Sequence, residues 1–446
     1  MAPLETRIQK RLHVSLYALL FLTVLLGLSV VLEGCTDTCE TSARYVYYEP
    51  VYTPLEVVRA AVAVQGSRPV RSVGRIYFKD NYLFINEPGE GIHVIDDSDP
   101  GNPLPKKFIS IPGNYDLAIN GNMLYADSFM DLLSLDISDL NAIRVIDRSE
   151  NMFNYYNSLG FYPDATRGVV TSWVEKVNIE TADCNVIFQP WGGFMMSDGI
   201  ALGIEASASF NSKAAIAPGT GSGPGLGGSL ARMTVHSDHL YLLNGADVKV
   251  VDISNPTHPD ERDSLYVSWD IETLFPYKDK LFIGARSGMH ILDIATPEKP
   301  SFLATYQHIY SCDPVVVSDD YAYVTLRSGN LTCEGFDNQL EILDVSNPAS
   351  PQLVKTYSMT NPHGLGIDGN LLFVCDGPAG LKMFDVSDKL DLEDNLLAQH
   401  RSIHALDAIP YQDVLMLIGE EGIFQYDYAD NKNLKLLSHI VVQDED

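Results

Sequence analysis

Positive charge is scarce in this chain. Lys and Arg number 30 against 59 Asp and Glu, a formal net charge of −29. So acidic a surface repels phosphate backbones, which argues against nucleic acid as a partner and leaves cations and neutral glycans open. Its plainest use is to keep an exported protein soluble. Catalytic signatures are missing too: the sequence holds no Gly-x-Ser-x-Gly elbow, no His-Glu-x-x-His and no Cys-x-x-Cys. No catalytic residue, metal ligand or cofactor is therefore assigned. Cysteine is sparse, at six residues, and if Cys35 is modified the other five cannot all pair. Beyond Cys35 no apolar run is long enough to span a membrane, while roughly 400 residues are ample for a large core.

Apolar sequence is concentrated at the start. Arg7, Lys10 and Arg11 precede an apolar run from Val14 to Leu32, which ends in Leu32-Glu33-Gly34-Cys35. Positive charge stays on the cytoplasmic side while the run enters the bilayer, so this order is that of a secretory signal over residues 1–34. The run could also span as a helix, and an uncleaved anchor is the alternative. Leu32-Glu33-Gly34-Cys35 resembles the lipobox of bacterial lipoproteins, although Glu33 departs from the small residue usual there. The resemblance implies acylation of Cys35 and an extracytoplasmic protein tethered to a membrane, at the periplasmic face of the outer membrane or on the cell surface.

Repetition dominates the rest. A short run of β-forming residues is followed by a turn and a second run ending in Asp, as in Tyr82-Leu-Phe-Ile-Asn86 with Gly91-Ile-His-Val-Ile-Asp96. The unit recurs seven times, closing at Asp96, Asp136, Asp252, Asp293, Asp344, Asp385 and Asp427. Apart from one gap of 116 and one of 51, the spacing is 40 to 42 residues, a period that fits one four-stranded blade. An upstream strand such as Tyr115 to Ile119 joins through Asn120-Gly121, and an outer strand such as Phe302 to Tyr306 follows the Asp. The fold class expected is all-β: a β-propeller of seven four-stranded blades, eight being possible, over residues 73–446. The recurring Asp residues, as in Asp252-Ile-Ser-Asn-Pro256, read as turn-formers that accept backbone N–H groups, and the ligand spacing of a calcium loop is absent.

This alternation of Ile/Val-Asp-Ile/Val-Ser-x-Pro with Leu-Tyr/Phe-Val strands resembles the LVIVD-repeat family, propeller-like lipoproteins of bacteria and archaea. Tyr82-Leu-Phe-Ile-Asn-Glu-Pro-Gly89 and Asp313-Pro-Val-Val-Val317 look like its Bacteroidetes branch. The likeness covers roughly residues 70–440 and implies the fold, with little about activity.

Two regions break the pattern. The 116-residue gap from Asp136 to Asp252 reads as an insertion at about 150–230, with Val169 to Val174 as a strand of the second blade and a flexible glycine-rich end. Residues 35–72 read as a tether, with a short helix that Thr53 caps, Pro54 starts and Val64 ends.

Aligning the units at the start of each inner strand brings Arg75, Asp116, Arg232, Glu272, Asp313, His363 and His404 to the channel mouth, a candidate ligand site. Cys312 and Cys333 share this edge and could form a disulfide in an oxidising compartment. His236-Ser-Asp-His239 falls on a hairpin tip, which presents histidines singly and seldom completes a metal shell. The expected function is an envelope-anchored binding or scaffolding module for a protein or glycan. The alternative is an extracytoplasmic hydrolase or lyase working at the channel mouth.

Overall fold

Each repeat folds into one antiparallel sheet, because its strands alternate residues toward both neighbouring sheets and no single sheet can cover its own faces. The computed structural model describes residues 22–23, 40–154, 162–183, 226–312, 314–328, 337–430 and 433–443. The blades span residues 76–110, 117–149, 233–266, 271–307, 315–358, 365–400 and 405–441. Each holds four consecutive strands, A to D from the inside outward, in meander order. Seven blades result among the described residues.

Strand D carries a β-bulge against strand C in all seven blades, for instance between Val250 and Val251 and between Gln425 and Tyr426. A bulge deepens the local twist. Tight A–B turns need positive φ, which Gly121 and Gly369 supply at 54° each. On the same edge each closing Asp accepts the N–H two residues ahead, at 2.8 Å for Ser254, Ala295 and Ser387 and 2.9 Å for Ser138 and Ser346. The turn-forming reading of these acids is thus what the geometry shows.

The core is a ring of layers between blades. One apolar cluster joins blades 1, 2 and 3, and others join 3 with 4, 4 with 5 and 6, and 6 with 7. The last joins Ile76, Phe78, Leu83, Ile85 and Ile95 of blade 1 to Leu406, Ile409, Met416, Ile418 and Ile423 of blade 7. Phe78 and Tyr411 lie 4.6 Å apart across that seam. Blade 7 is built wholly from C-terminal strands, so the ring closes by packing and not by exchange of a strand. Buried Gln425 donates through Nε2 to Asp97 Oδ1 at 2.6 Å, linking the same two blades.

Chain preceding blade 1 straps this seam. A helix over Leu55–Ala60 docks Val58 against Phe129, Met130 and Val169. Arg59 grips buried Asp131 of blade 2 through Nε and Nη2 at 2.7 and 2.9 Å. Ala63–Gly66 then pairs with the outer strand of blade 1, covering an edge that would otherwise offer unpaired backbone groups. Finally Val70 bridges Val442 beyond the last strand of blade 7. The helix is shorter than the sequence suggests, ending at Ala60 because the outer edge of blade 1 captures residues 63–66 as a strand. Thr53 does not cap it, since its hydroxyl faces that of Thr171 at 2.7 Å and Pro54 occupies the cap position.

The chain divides into two units, residues 1–51 with 172–207 and residues 52–171 with 208–446. The first contributes most of a two-stranded ribbon, Glu40–Thr53 with Val169–Asp183. Val169 to Val174 therefore belongs to this ribbon and not to blade 2, whose four strands are complete without it. Cys35 and nearly all of the apolar run lie outside the described residues.

Burial raises the Asp97 carboxyl from 3.8 to about 6, against the hydrogen bond from Gln425. The folded state then binds the extra proton, so this group's contribution is full below about pH 4 and is lost as pH rises through 6. Asp97→Asn keeps an acceptor for Gln425 and removes the buried charge. We expect the variant to exceed the parent above pH 6 by up to about 3 kcal/mol in urea unfolding, with the gap vanishing near pH 4. An unchanged difference across that range would refute the assignment.

Candidate functional site at the channel mouth

Strands A and C begin, and B and D end, on one edge of the ring, so the D–A connections and B–C loops meet there. The insertion also returns to this edge. Its last residues, Leu226 and Gly227, pair with Phe78 and Tyr77 as an extra innermost strand of blade 1. Ser229 follows and crosses the ring. Its hydroxyl donates to Asp407 Oδ1 of blade 7 at 3.3 Å and accepts from Leu365 N of blade 6 at 3.1 Å.

Around it lies a buried polar network. Arg75 donates through Nε to Leu230 O at 2.9 Å and through Nη1 to Tyr115 O at 2.6 Å, and its Nε is 3.5 Å from Asp116 Oδ2. Asp116 Oδ2 accepts the backbone N–H groups of Arg232 and Met233 at 2.6 and 3.0 Å. Asp127 Oδ1 accepts from Tyr115 N, Asp116 N and Asn114 Nδ2, each at 2.8 Å. Burial pushes Asp116 upward and Asp127 to about 6, and it lowers Arg75. These groups tie blades 1, 2, 3, 6 and 7 together, and their hydrogen bonds go mostly to backbone.

Only part of the sequence-aligned ring holds. Pairing with strand B puts Arg75, Asp116, Arg232, Thr273, Pro314, Gly364 and Asp407 at equivalent positions. Glu272 is the extra residue of a bulge between Ile271 and Thr273; in blade 7 the extra residue is Leu406, and His404 lies three residues before Asp407, ahead of the strand. His363 sits one residue early because Gly364 holds the position, where a Cβ would come within 2.0 Å of Asp407 Oδ1. His363 Nε2 lies 2.8 Å from Asn361 Oδ1, and His404 Nδ1 lies 3.3 Å from Glu420. The two imidazoles meet edge-on at 6.0 Å. Asp313 and Cys333 lie outside the described residues, and Cys312 is disulfide-bonded.

Beside the network, blades 3, 4 and 5 present a second group, of which sequence alignment brought Arg232 and Glu272 to the mouth and missed Arg286 and Arg327. Arg232, Arg286 and Arg327 all act electrostatically on Glu272, whose carboxyl is pushed up by burial and pulled down by the three guanidinium groups. Arg286 Nε is 3.5 Å from Glu272 Oε1, and the Arg286 guanidinium lies 5.0 Å from the Trp269 ring and 5.6 Å from Tyr310. Trp269 stacks on Tyr310 at 6.3 Å, yet 63% of it is exposed. Arg327 is fixed by its backbone, which exchanges hydrogen bonds with Cys312 at 3.0 and 3.2 Å. A signal was present in the sequence: Arg286-Ser-Gly and Arg327-Ser-Gly open the B–C loops of successive blades. Asp270 acts on Glu272 as well, and Arg232 also faces Asp116 and Asp127; the result is an arginine-rich patch, suited to an anionic group held beside an aromatic platform.

Fold and site together define a seven-bladed β-propeller with a polar, arginine-lined mouth. Within it, residues 70–107, 227–266 and 311–359 match the LVIVD repeat family, so the chain carries LVIVD repeats. No curated protein matches it in sequence. Among solved structures it is similar to the computationally designed Ika8 protein, at 12% identity over 85% of this chain and 92% of that one, with a TM-score of 0.48. It is also similar to BamB from Moraxella catarrhalis (9% identity, 80% and 84% covered, TM-score 0.47). A third likeness is to Kluyveromyces lactis Hsv2 (11% identity, 83% and 100% covered, TM-score 0.46).

Asp116→Ala removes the carboxylate nearest the buried Arg75 guanidinium, whose Nη2 already makes no hydrogen bond, and leaves only Asp127 and Asp407 to act on it. Such a change typically costs about 3–5 kcal/mol. Arg232→Ala, which removes an exposed side chain while keeping the backbone N–H on Asp116, should stay within about 0.5 kcal/mol. Urea unfolding of the pair checks the contrast, and equal losses would contradict it.

Proposed function

We propose that this protein is an LVIVD-family lipoprotein of the Bacteroidetes type, acting as an envelope-anchored binding module whose mouth takes a carboxylate-bearing segment of a partner protein. The observation that carries the binding reading is the trio Arg232, Arg286 and Arg327 around Glu272 beside exposed Trp269. In a chain of net charge −29, an arginine-rich patch on the insertion-bearing edge supplies the cationic donors that select anions at short range. Arginine and tryptophan are also the residue types that most often anchor protein interfaces. Anchoring rests on the sequence alone: the basic head, the apolar run and Cys35.

Arg286→Ala with Arg327→Ala should weaken capture of envelope partners by roughly 10- to 100-fold, the loss of one or two charge-assisted hydrogen bonds. Quantitative pull-down from envelope extract measures this, with circular dichroism confirming the fold. Equal capture by parent and variant would overturn the reading. If only acidic glycan is retained by the parent, the protein-partner assignment fails while the site stands. Mass spectrometry of the native N-terminus should find an acylated Cys35, and Cys35→Ser should release the protein from membranes. An unmodified N-terminus beginning at Met1 would contradict the tether.

A further inference from the structure

On the opposite edge, that of the A–B and C–D turns, blade 3 differs from the others. The first residue of strand B faces the closing Asp of strand C in every blade. Facing pairs include Tyr82 with Asp96, Met123 with Asp136, Tyr321 with Asp344, Leu371 with Asp385 and Val414 with Asp427. In blade 4 the facing residue is Lys280, whose Nζ meets Asp293 at 3.4 Å. In blade 3 it is His239, facing Asp252.

His239 is 9% exposed, and its Nδ1 lies 2.7 Å from Ser237 O. A carbonyl can only accept, so Nδ1 carries a proton, and Nε2 is the nitrogen of the neutral ring that can take a ligand. That Nε2 is buried and makes no hydrogen bond, which is costly for a polar atom unless something fills the place. A ring nitrogen of His239 and a carboxylate oxygen each of Asp252 and Glu298 form a group whose ligating atoms are all within 4.8 Å of one another. Glu298 comes from the C–D turn of blade 4, and Tyr241 Oη holds that turn to blade 3 by donating to Pro297 O at 2.8 Å.

We propose that His239, Asp252 and Glu298 form a three-ligand site for a divalent cation of the zinc class, which staples blade 3 to blade 4. One imidazole with two carboxylates, leaving a fourth position for water, suits zinc better than calcium or magnesium, which take oxygen shells. Asp252 is already oriented, because Ser254 N donates to Oδ1 at 2.8 Å and Arg262 Nη2 to Oδ2 at 2.7 Å. Arg262 then acts as the outer partner of a ligating carboxylate, a common second layer around metals. Its charge leaves the set at about −1 before the ion arrives, so the affinity is moderate. The hairpin presents a single histidine, as its sequence predicts, and the remaining ligands come from acids of two C–D turns.

The test uses the full chain stripped with a chelator and titrated with Zn²⁺ alone by calorimetry, and with Co²⁺ by its d–d absorption. We expect one equivalent bound by the parent, lost in His239→Gln, weakened at least tenfold in Glu298→Gln, and kept in His236→Ala. Zn²⁺ should also raise the unfolding temperature of the parent more than that of Glu298→Gln. Glu298 is exposed, so that variant tests the site even if His239→Gln fails to fold. Unchanged binding in Glu298→Gln and His239→Gln means an adventitious ion only and overturns the proposal. Loss of binding in His236→Ala equal to that in His239→Gln also overturns it, by assigning the metal to the hairpin histidines.

Discussion

The packing of blade 7 on blade 1 is the contact on which everything else in this molecule depends. Each sheet of about forty residues exposes an apolar face on both sides, and stacking satisfies six of the seven junctions in chain order. The seventh must join the ends of the chain. Here it is made by the cluster around Ile76, Leu83, Ile409 and Met416, by Gln425 on Asp97, and by the strap that runs to the Val70–Val442 bridge. No strand is exchanged to lock it, so side-chain packing and a few buried polar contacts bear the closing load.

The centre shows the same economy. Ser229, at the returning end of the insertion, touches blades 6 and 7, while Leu226 and Gly227 extend blade 1. The insertion is therefore part of what holds the mouth as well as a decoration of it. Arg75, Asp116 and Asp407 are buried at the centre with Asp127 half-buried beside them, and most of their hydrogen bonds reach backbone. A network so committed is suited to rigidity. The groups beside it that remain at least partly exposed are Arg232, Arg286, Arg327 and Trp269.

Much of the architecture was legible because strands B and C are buried on both faces and end in an Asp that must turn the chain. That signal is local and repeats, so blade number and the turn-forming acids could be read from residue order. The inner ring was harder. The equivalent residue lies seven before the start of strand B in each blade, at Thr273, Gly364 and Asp407 among others; alignment on charged residues upstream of the inner strand picks Glu272, His363 and His404 instead, and Thr273 and Gly364 carry no charge to mark the position. The ribbon was illegible for a different reason: Thr53 and Thr171 are 118 residues apart, and nothing near Val169 distinguishes a ribbon strand from a blade strand. Residues 63–66, likewise, became a strand only because the outer edge of blade 1 was there to pair with them.

Native-state hydrogen exchange tests the central claim most directly. The amides of Arg232, Met233 and Leu365 donate to side chains from other parts of the ring, and Gly364 N donates to Leu406 O of blade 7. If the closed ring and its polar centre act as one cooperative unit, these four amides exchange only through global unfolding and share one denaturant dependence. Exchange at the rates of exposed loops, with the outer strands still protected, would mean that the blades hold together without the closure described here.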